Sequence, residues 1–157
     1  MLPQPAARRL VDFGPPWPPA RMTGRASAIV MVFMARIVLI EDNVGLRTIL
    51  AEHLALAGHM VIEAADGREG LDRFRRVGAD LVVTDIVMPE TEGMEVLREL
   101  RSARPPVPVI AISGGGLGSG KDYLAMATVL GAAKVILKPF PSAVLIAAIA
   151  ELLPGDT

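Results

Sequence analysis

Ile37-Val38-Leu39-Ile40-Glu41-Asp42 sets four consecutive apolar residues directly before two carboxylates. A short run of this kind, rich in β-branched residues and apolar on both alternating faces, reads as a strand of a parallel sheet buried on both sides. The pattern recurs along the chain. Leu81-Val82-Val83-Thr84 runs into Asp85, Val109-Ile110-Ala111-Ile112 into Ser113, and Ala133 to Leu137 into Lys138-Pro139. Met60 to Ala64 forms one more strand-like run.

Helical patterns fill the intervals. Val44 to Ala57 places Leu46, Ile49, Leu50 and Leu54 on one face, and Gly58 stops it. Asp66-Gly67-Arg68-Glu69 has capping-box spacing and opens a helix through Phe74. Met94, Leu97 and Leu100 mark another, Lys121 to Leu130 the next, and Ser142 is placed to cap a last helix ending near Leu153. In that helix Leu145, Ile149 and Leu152 are expected inward, and Ile146, Ala150 and Leu153 outward. Five strands alternating with five helices predict an α/β fold, a doubly wound parallel sheet covered on both faces. Ligands of such sheets sit beyond the carboxyl ends of the strands, at the switch in strand order.

The chain of 157 residues is 52% hydrophobic and 21% charged, with a formal net charge of −1, which suits one domain with one sizeable core. Near-neutrality argues against nucleic acid as a partner. The uncharged apolar stretch Ala26 to Ala35 ends at Arg36 and is too short to span a bilayer. With no cysteine there is no disulfide, thiolate metal site or thiol nucleophile, and a reducing cytoplasmic location is expected. The averages conceal a seam. Residues 1–33 carry six of the thirteen prolines, four arginines and one acid, whereas Met34 onward carries a net charge of −4. Residues 1–33 read as a disordered leader, consistent with a start assigned upstream of Met34, and residues 34–157 as the folded domain.

The strand ends carry the chemistry. Glu41, Asp42 and Asp85, with Ser113 and Lys138, should project from one edge of the sheet. Close carboxylates repel one another, and a hard divalent cation such as Mg²⁺ relieves that repulsion through oxygen ligands. Asp85 is then a candidate nucleophile toward a phosphoryl group, with Lys138 pairing to that group and Ser113 donating to one of its oxygens.

Glu41-Asp42, Thr84-Asp85-Ile86-Val87-Met88-Pro89, Ile112-Ser113 and Lys138-Pro139-Phe140, each after its strand, resemble a response-regulator receiver domain of the single-domain chemotaxis type. The resemblance covers nearly all of residues 34–157. It implies a flavodoxin-like sheet of order 2-1-3-4-5, the order known for this family. It implies that Asp85 accepts phosphate from a histidine kinase or histidine phosphotransfer protein, with output by binding a downstream protein. It also implies that Mg²⁺ is held by Asp42, Asp85 and the Val87 carbonyl, with Glu41 acting through water, and that a cis Lys138-Pro139 peptide aims the lysine at the site.

The chain departs from that pattern in three places: Val135, the glycine run, and Val87 with Gly115. These last two positions commonly tune hydrolysis of the phosphoryl-aspartate. Their side chains here cannot orient an attacking water, so slow autodephosphorylation is expected. Val135 stands three residues before Lys138, where the family often has an aromatic switch residue. Gly115 to Lys121 matches the start of a phosphate-binding loop, but Asp122 follows where Ser or Thr would be needed, so the glycines read as a hinge. An aspartyl phosphatase is disfavoured by Val87, which stands where a second acid would be required. A receiver-like interaction module independent of phosphorylation is the remaining alternative. The sparsely charged last helix points to a homodimer or partner contact on the last two helices and the fifth strand.

Overall fold

The computed structural model describes residues 34–87, 92–114 and 120–153. The expected leader, the Met88-Pro89 turn and the glycine run from Gly115 lie outside the described residues. The elements run β1 (Arg36–Ile40), α1 (Val44–Leu56), β2 (Met60–Ala64), α2 (Gly67–Val77), β3 (Leu81–Asp85), α3 (Glu92–Arg101), β4 (Val109–Ser113), α4 (Gly120–Val129), β5 (Lys134–Leu137) and α5 (Ser142–Leu152). All strand pairs are parallel and the order is β2-β1-β3-β4-β5, a flavodoxin-like arrangement.

Burial explains the unbroken apolar runs. Alternate residues of β1, β3 and β4 enter opposite cores. Ile37, Leu39, Leu81, Val83, Ile110 and Ile112 pack with Leu50 and Leu54 of α1 and Leu145 and Ile149 of α5. Val38, Ile40, Val82, Val109 and Ala111 pack with Leu71 of α2, Val96, Leu97 and Leu100 of α3, and Ala127 of α4. A strand covered on both faces has no polar side, so its sequence cannot alternate. β2 and β5, at the sheet edges, are only partly buried.

Three local expectations need correction. Ile49 is 51% exposed, and α1 instead buries Leu50, Ala51 and Leu54, because the helix presents only a narrow stripe to the sheet. Ser142 is the first residue of α5 rather than its cap: Pro141 is the cap, and the Ser142 hydroxyl bonds Nδ1 of His53 in α1. Leu153 is buried, not outward, and Ile146 is partly buried against the same core. Leu145, Ala148, Ile149 and Leu153 follow the helical period, so Ala143, Val144 and Ala147 face outward, together with Ala150 as expected.

At the start of α2, the Asp66 carboxylate accepts from Glu69 N–H at 2.7 Å. Glu69 reaches back one residue further than expected, to Ala65 N–H at 2.7 Å, and pairs with Arg73. The Ala65 hydrogen bond, then Arg73, holds the Glu69 carboxyl below its usual value. A depressed carboxyl contributes stability that is present above the ordinary value of 4.5 and is lost as pH falls through the folded value. Glu69→Gln is therefore expected to be less stable than wild type at pH 7 by under about 1 kcal/mol, the size of one exposed cap interaction. Urea denaturation at neutral pH and at pH 3 checks this: the gap should close in acid.

Candidate functional site

Parallel pairing brings the strand ends to one edge. Ile40 pairs with Thr84, so Glu41 and Asp85 each lie one residue further on. Asp85 pairs with Ile112 and Ser113 with Leu137, which sets Ser113 and Lys138 beside them. All five predicted side chains come from loops or last strand residues at the carboxyl edge, where the rule for doubly wound sheets locates ligands.

The Lys138 ammonium bridges two carboxylates that the chain order keeps far apart, donating to Glu41 Oε2 at 2.8 Å and to Asp85 Oδ2 at 2.7 Å. Glu41 and Asp85 are 1% and 3% exposed, whereas Asp42 is exposed. Asp85 Oδ1 accepts from Val87 N–H at 2.8 Å. The remaining oxygen of Glu41 accepts from Asn43 N–H at 3.0 Å. Each carboxylate oxygen has a second lone pair, so these bonds orient the acids without exhausting them. The Lys138-Pro139 peptide is cis.

Burial raises the Glu41 carboxyl above its usual range. Lys138 and Asn43 N–H oppose the rise, and the neighbouring Asp85 charge adds to it. Burial also depresses the Lys138 ammonium, but its hydrogen bonds to Asp85 and Glu41 outweigh that effect, and the net shift is upward. One ammonium thus faces three carboxylates. The carboxylate oxygens of Glu41, Asp42 and Asp85 converge within 4.8 Å of one another. An all-oxygen cluster with surplus negative charge fits a hard divalent cation.

Ser113 lies at 0% exposure, and its Oγ has no hydrogen-bond partner among the described residues. A buried hydroxyl without a partner forgoes about 1–3 kcal/mol. Val135 is partly buried against the α2–α3–α4 core and leaves no ring to swing beside Ser113.

Two contributors escaped the sequence reading. Asn43 caps α1, its Oδ1 accepting from Leu46 N–H at 2.9 Å, while its own N–H holds Glu41. An Asn just before an apolar-periodic run was a legible cap signal. Arg47 donates to the Glu41 carbonyl at 2.7 Å, a contact no local pattern announces.

The sequence profile of the response regulator receiver domain matches residues 37–150. The chain is 39% identical over 105 residues to "Probable transcriptional regulator ycf27" of Porphyridium aerugineum, covering 67% of this chain and 42% of that protein. It is 34% identical over 119 residues to "Transcriptional regulatory protein GlrR" of Escherichia coli K12, covering 76% and 26%. It thus spans less than half the length of these curated relatives. Among solved structures, a response regulator receiver domain protein from Clostridium thermocellum aligns with a TM-score of 0.69 at 30% identity, covering 76% of this chain and 94% of that one. Chemotaxis response regulator CheY4 of Vibrio cholerae aligns with a TM-score of 0.69 at 24% identity, covering 76% and 99%, a likeness of fold. Fold, strand-end acids and sequence similarity agree: the chain belongs to the response regulator receiver domain family of two-component systems.

Proposed function

We propose that Asp85 is a phospho-acceptor, charged by a histidine kinase or histidine phosphotransfer protein in the presence of Mg²⁺, and that the signal leaves by protein binding. The observation that carries this reading is the buried, unpartnered Ser113 hydroxyl at the edge where Lys138 bridges Glu41 and Asp85. In the transfer, an Asp85 carboxylate oxygen forms the new P–O bond as the P–N bond to the donor imidazole breaks. The electron pair stays on the departing ring nitrogen, which takes a proton. Lys138 exchanges one of its carboxylate contacts for a phosphoryl oxygen, and Ser113 donates to another. Glu41, Asp42, Asp85 and the Val87 carbonyl would hold Mg²⁺, which when bound supplies Lewis-acid stabilisation of phosphoryl charge.

Output is assigned to the face of α4, β5 and α5. Met126, Val129, Leu137 and Val144 are exposed there, and Lys134 of β5 pairs with Glu151 of α5. Apolar residues gathered on one face favour a protein partner, a second copy included. This reading excludes nucleic acid as the domain's own ligand, on the net charge of −4 from Met34 onward. Among the described residues no helix is long and apolar enough to cross a membrane. The reading assigns the chain to the cytoplasm, which its lack of cysteine fits.

Val135 is the observation that favours a phosphorylation-independent interaction module instead. Acetyl phosphate with Mg²⁺, followed by intact-mass measurement, separates the two. Wild type is expected to gain one phosphoryl group and Asp85→Ala none. Equal labelling of both, or labelling of neither, overturns the phospho-acceptor reading. Light scattering on the same samples reads whether a second copy is the partner.

A further inference from the structure

The acidic turn Glu41-Asp42-Asn43 is held from its flanks. The described residues provide no hydrogen-bond or ion-pair partner for the exposed Asp42 carboxylate, so its position is set by the backbone on either side. Glu41 N–H is tied to the Ala64 carbonyl at 3.1 Å, and Asn43 N–H to the Glu41 side chain. The remaining peptide group, the Glu41 carbonyl, accepts from Nη1 of Arg47 at 2.7 Å. Arg47 is the fourth residue of α1, only 16% of its side chain exposed, and its Nε lies 3.3 Å from Oε2 of Glu63, the penultimate residue of β2. One planar fork thus clamps the acidic turn to the neighbouring strand end. A lysine, with a single point charge, cannot reach two divergent acceptors in this way.

We propose that Arg47 is the positioning residue of the acidic cluster: by clamping the Glu41 carbonyl against Glu63, it sets Asp42 and Glu41 at the spacing a divalent cation requires. This rests on the phospho-acceptor reading above and adds the residue that tunes its cation affinity. Lys138 and Arg47 then oppose each other although both are cations. Lys138 competes for carboxylate oxygens, whereas Arg47 binds a carbonyl and leaves the carboxylates available.

The sign of one measurement decides. Coulomb repulsion alone makes removal of a cation beside the cluster tighten Mg²⁺ binding. Loss of a positioning contact weakens it, by about 10-fold at the low end for groups that orient metal ligands. The full chain, stripped of metal, is titrated with Mg²⁺ alone by calorimetry, and half-saturating Mg²⁺ and maximal rate are read from acetyl phosphate labelling. Arg47→Met is expected to need about 10-fold more Mg²⁺ at an unchanged maximal rate. Arg47→Lys should be partly restored, and Glu63→Gln should shift about 3-fold in the same direction. Binding in Arg47→Met equal to or tighter than wild type overturns the proposal. Should Arg47→Met fail to fold, unchanged affinity in both Arg47→Lys and Glu63→Gln overturns it equally. Wild type that binds no Mg²⁺ sinks the phospho-acceptor reading itself, whereas wild-type binding with indifferent variants sinks only the role of Arg47.

Discussion

Lys138→Met is expected to lose about 3 kcal/mol of stability in Mg²⁺-free buffer, the low end for removing one partner of a buried ion pair. The reason lies in what remains. Glu41 and Asp85 would face each other at 1% and 3% exposure with no ammonium between them. Glu41, already raised by burial, would take up a proton rather than stay charged, which limits the loss. Mg²⁺ should restore stability, because it replaces the missing positive charge; at about 100 times its dissociation constant it adds about 2.7 kcal/mol. Mg²⁺ should also bind this variant more tightly than wild type, the opposite of Arg47→Met. Phosphoryl transfer should nevertheless fall by about 100-fold or more, since the cation aimed at developing phosphoryl charge is gone.

The pH dependence follows from the direction of the lysine shift. A raised ammonium contributes stability fully present below its ordinary value of 10.5 and lost as pH rises through the folded value. The gap between wild type and Lys138→Met should therefore persist through neutral pH and close in strong alkali, where the ammonium is lost, as it also should in acid that protonates the carboxylates. Urea denaturation across pH, with and without Mg²⁺, measures all of this. A variant as stable as wild type without Mg²⁺ would show that Lys138 does not neutralise the cluster.

Gly93→Ala should be the most damaging small substitution in the domain. A Cβ built on Gly93, near the start of α3, would lie 2.5 Å from Ile86 Cα and 2.6 Å from the Asp85 carbonyl oxygen. Both are backbone atoms, so no rotamer change relieves the clash, and either α3 or the end of β3 must move. The cost should be about 3 kcal/mol, the upper part of the range for overpacking, even after the gain in helix propensity of about 1 kcal/mol. Because the displaced backbone is that of Asp85, labelling by acetyl phosphate should slow as well. Gly70→Ala is the control. Its Cβ would meet only side-chain atoms, Ile40 Cδ1 at 2.2 Å and Cγ1 at 2.4 Å, so Ile40 and not the backbone of Asp85 must shift. That variant should lose about 1–2 kcal/mol and keep its labelling rate. Equal effects of the two on labelling would refute the claim that α3 seats directly on the acceptor.

Much of this domain was legible before any tertiary contact was known. The unbroken runs at Ile37 to Ile40, Leu81 to Thr84 and Val109 to Ile112 announced strands covered on both faces, and their polar successors announced the edge where ligands sit. Helix detail was less legible. The sequence does not fix Ile49 and Leu153 because α1 and α5 carry apolar residues outside the stripe they bury, and on such helices composition alone does not choose the inward face. Ser142 read as a cap because its residue type suits one, but Pro141 took that position and left the hydroxyl to His53.

The sequence by itself determined the class of fold and which residue types stand at each strand end, because parallel strands all carry their C-terminal residues to one edge. Only the tertiary structure decided how those residues meet. Lys138 reaches acids 97 and 53 positions away, Ser113 is left buried without a partner among the described residues, and Arg47 closes on the Glu41 carbonyl. Periodicity and capping are local, reaching a few residues along the chain. Pairing, burial and an unmet hydrogen bond depend on register between strands and on the packing of helices across them, which no local pattern encodes.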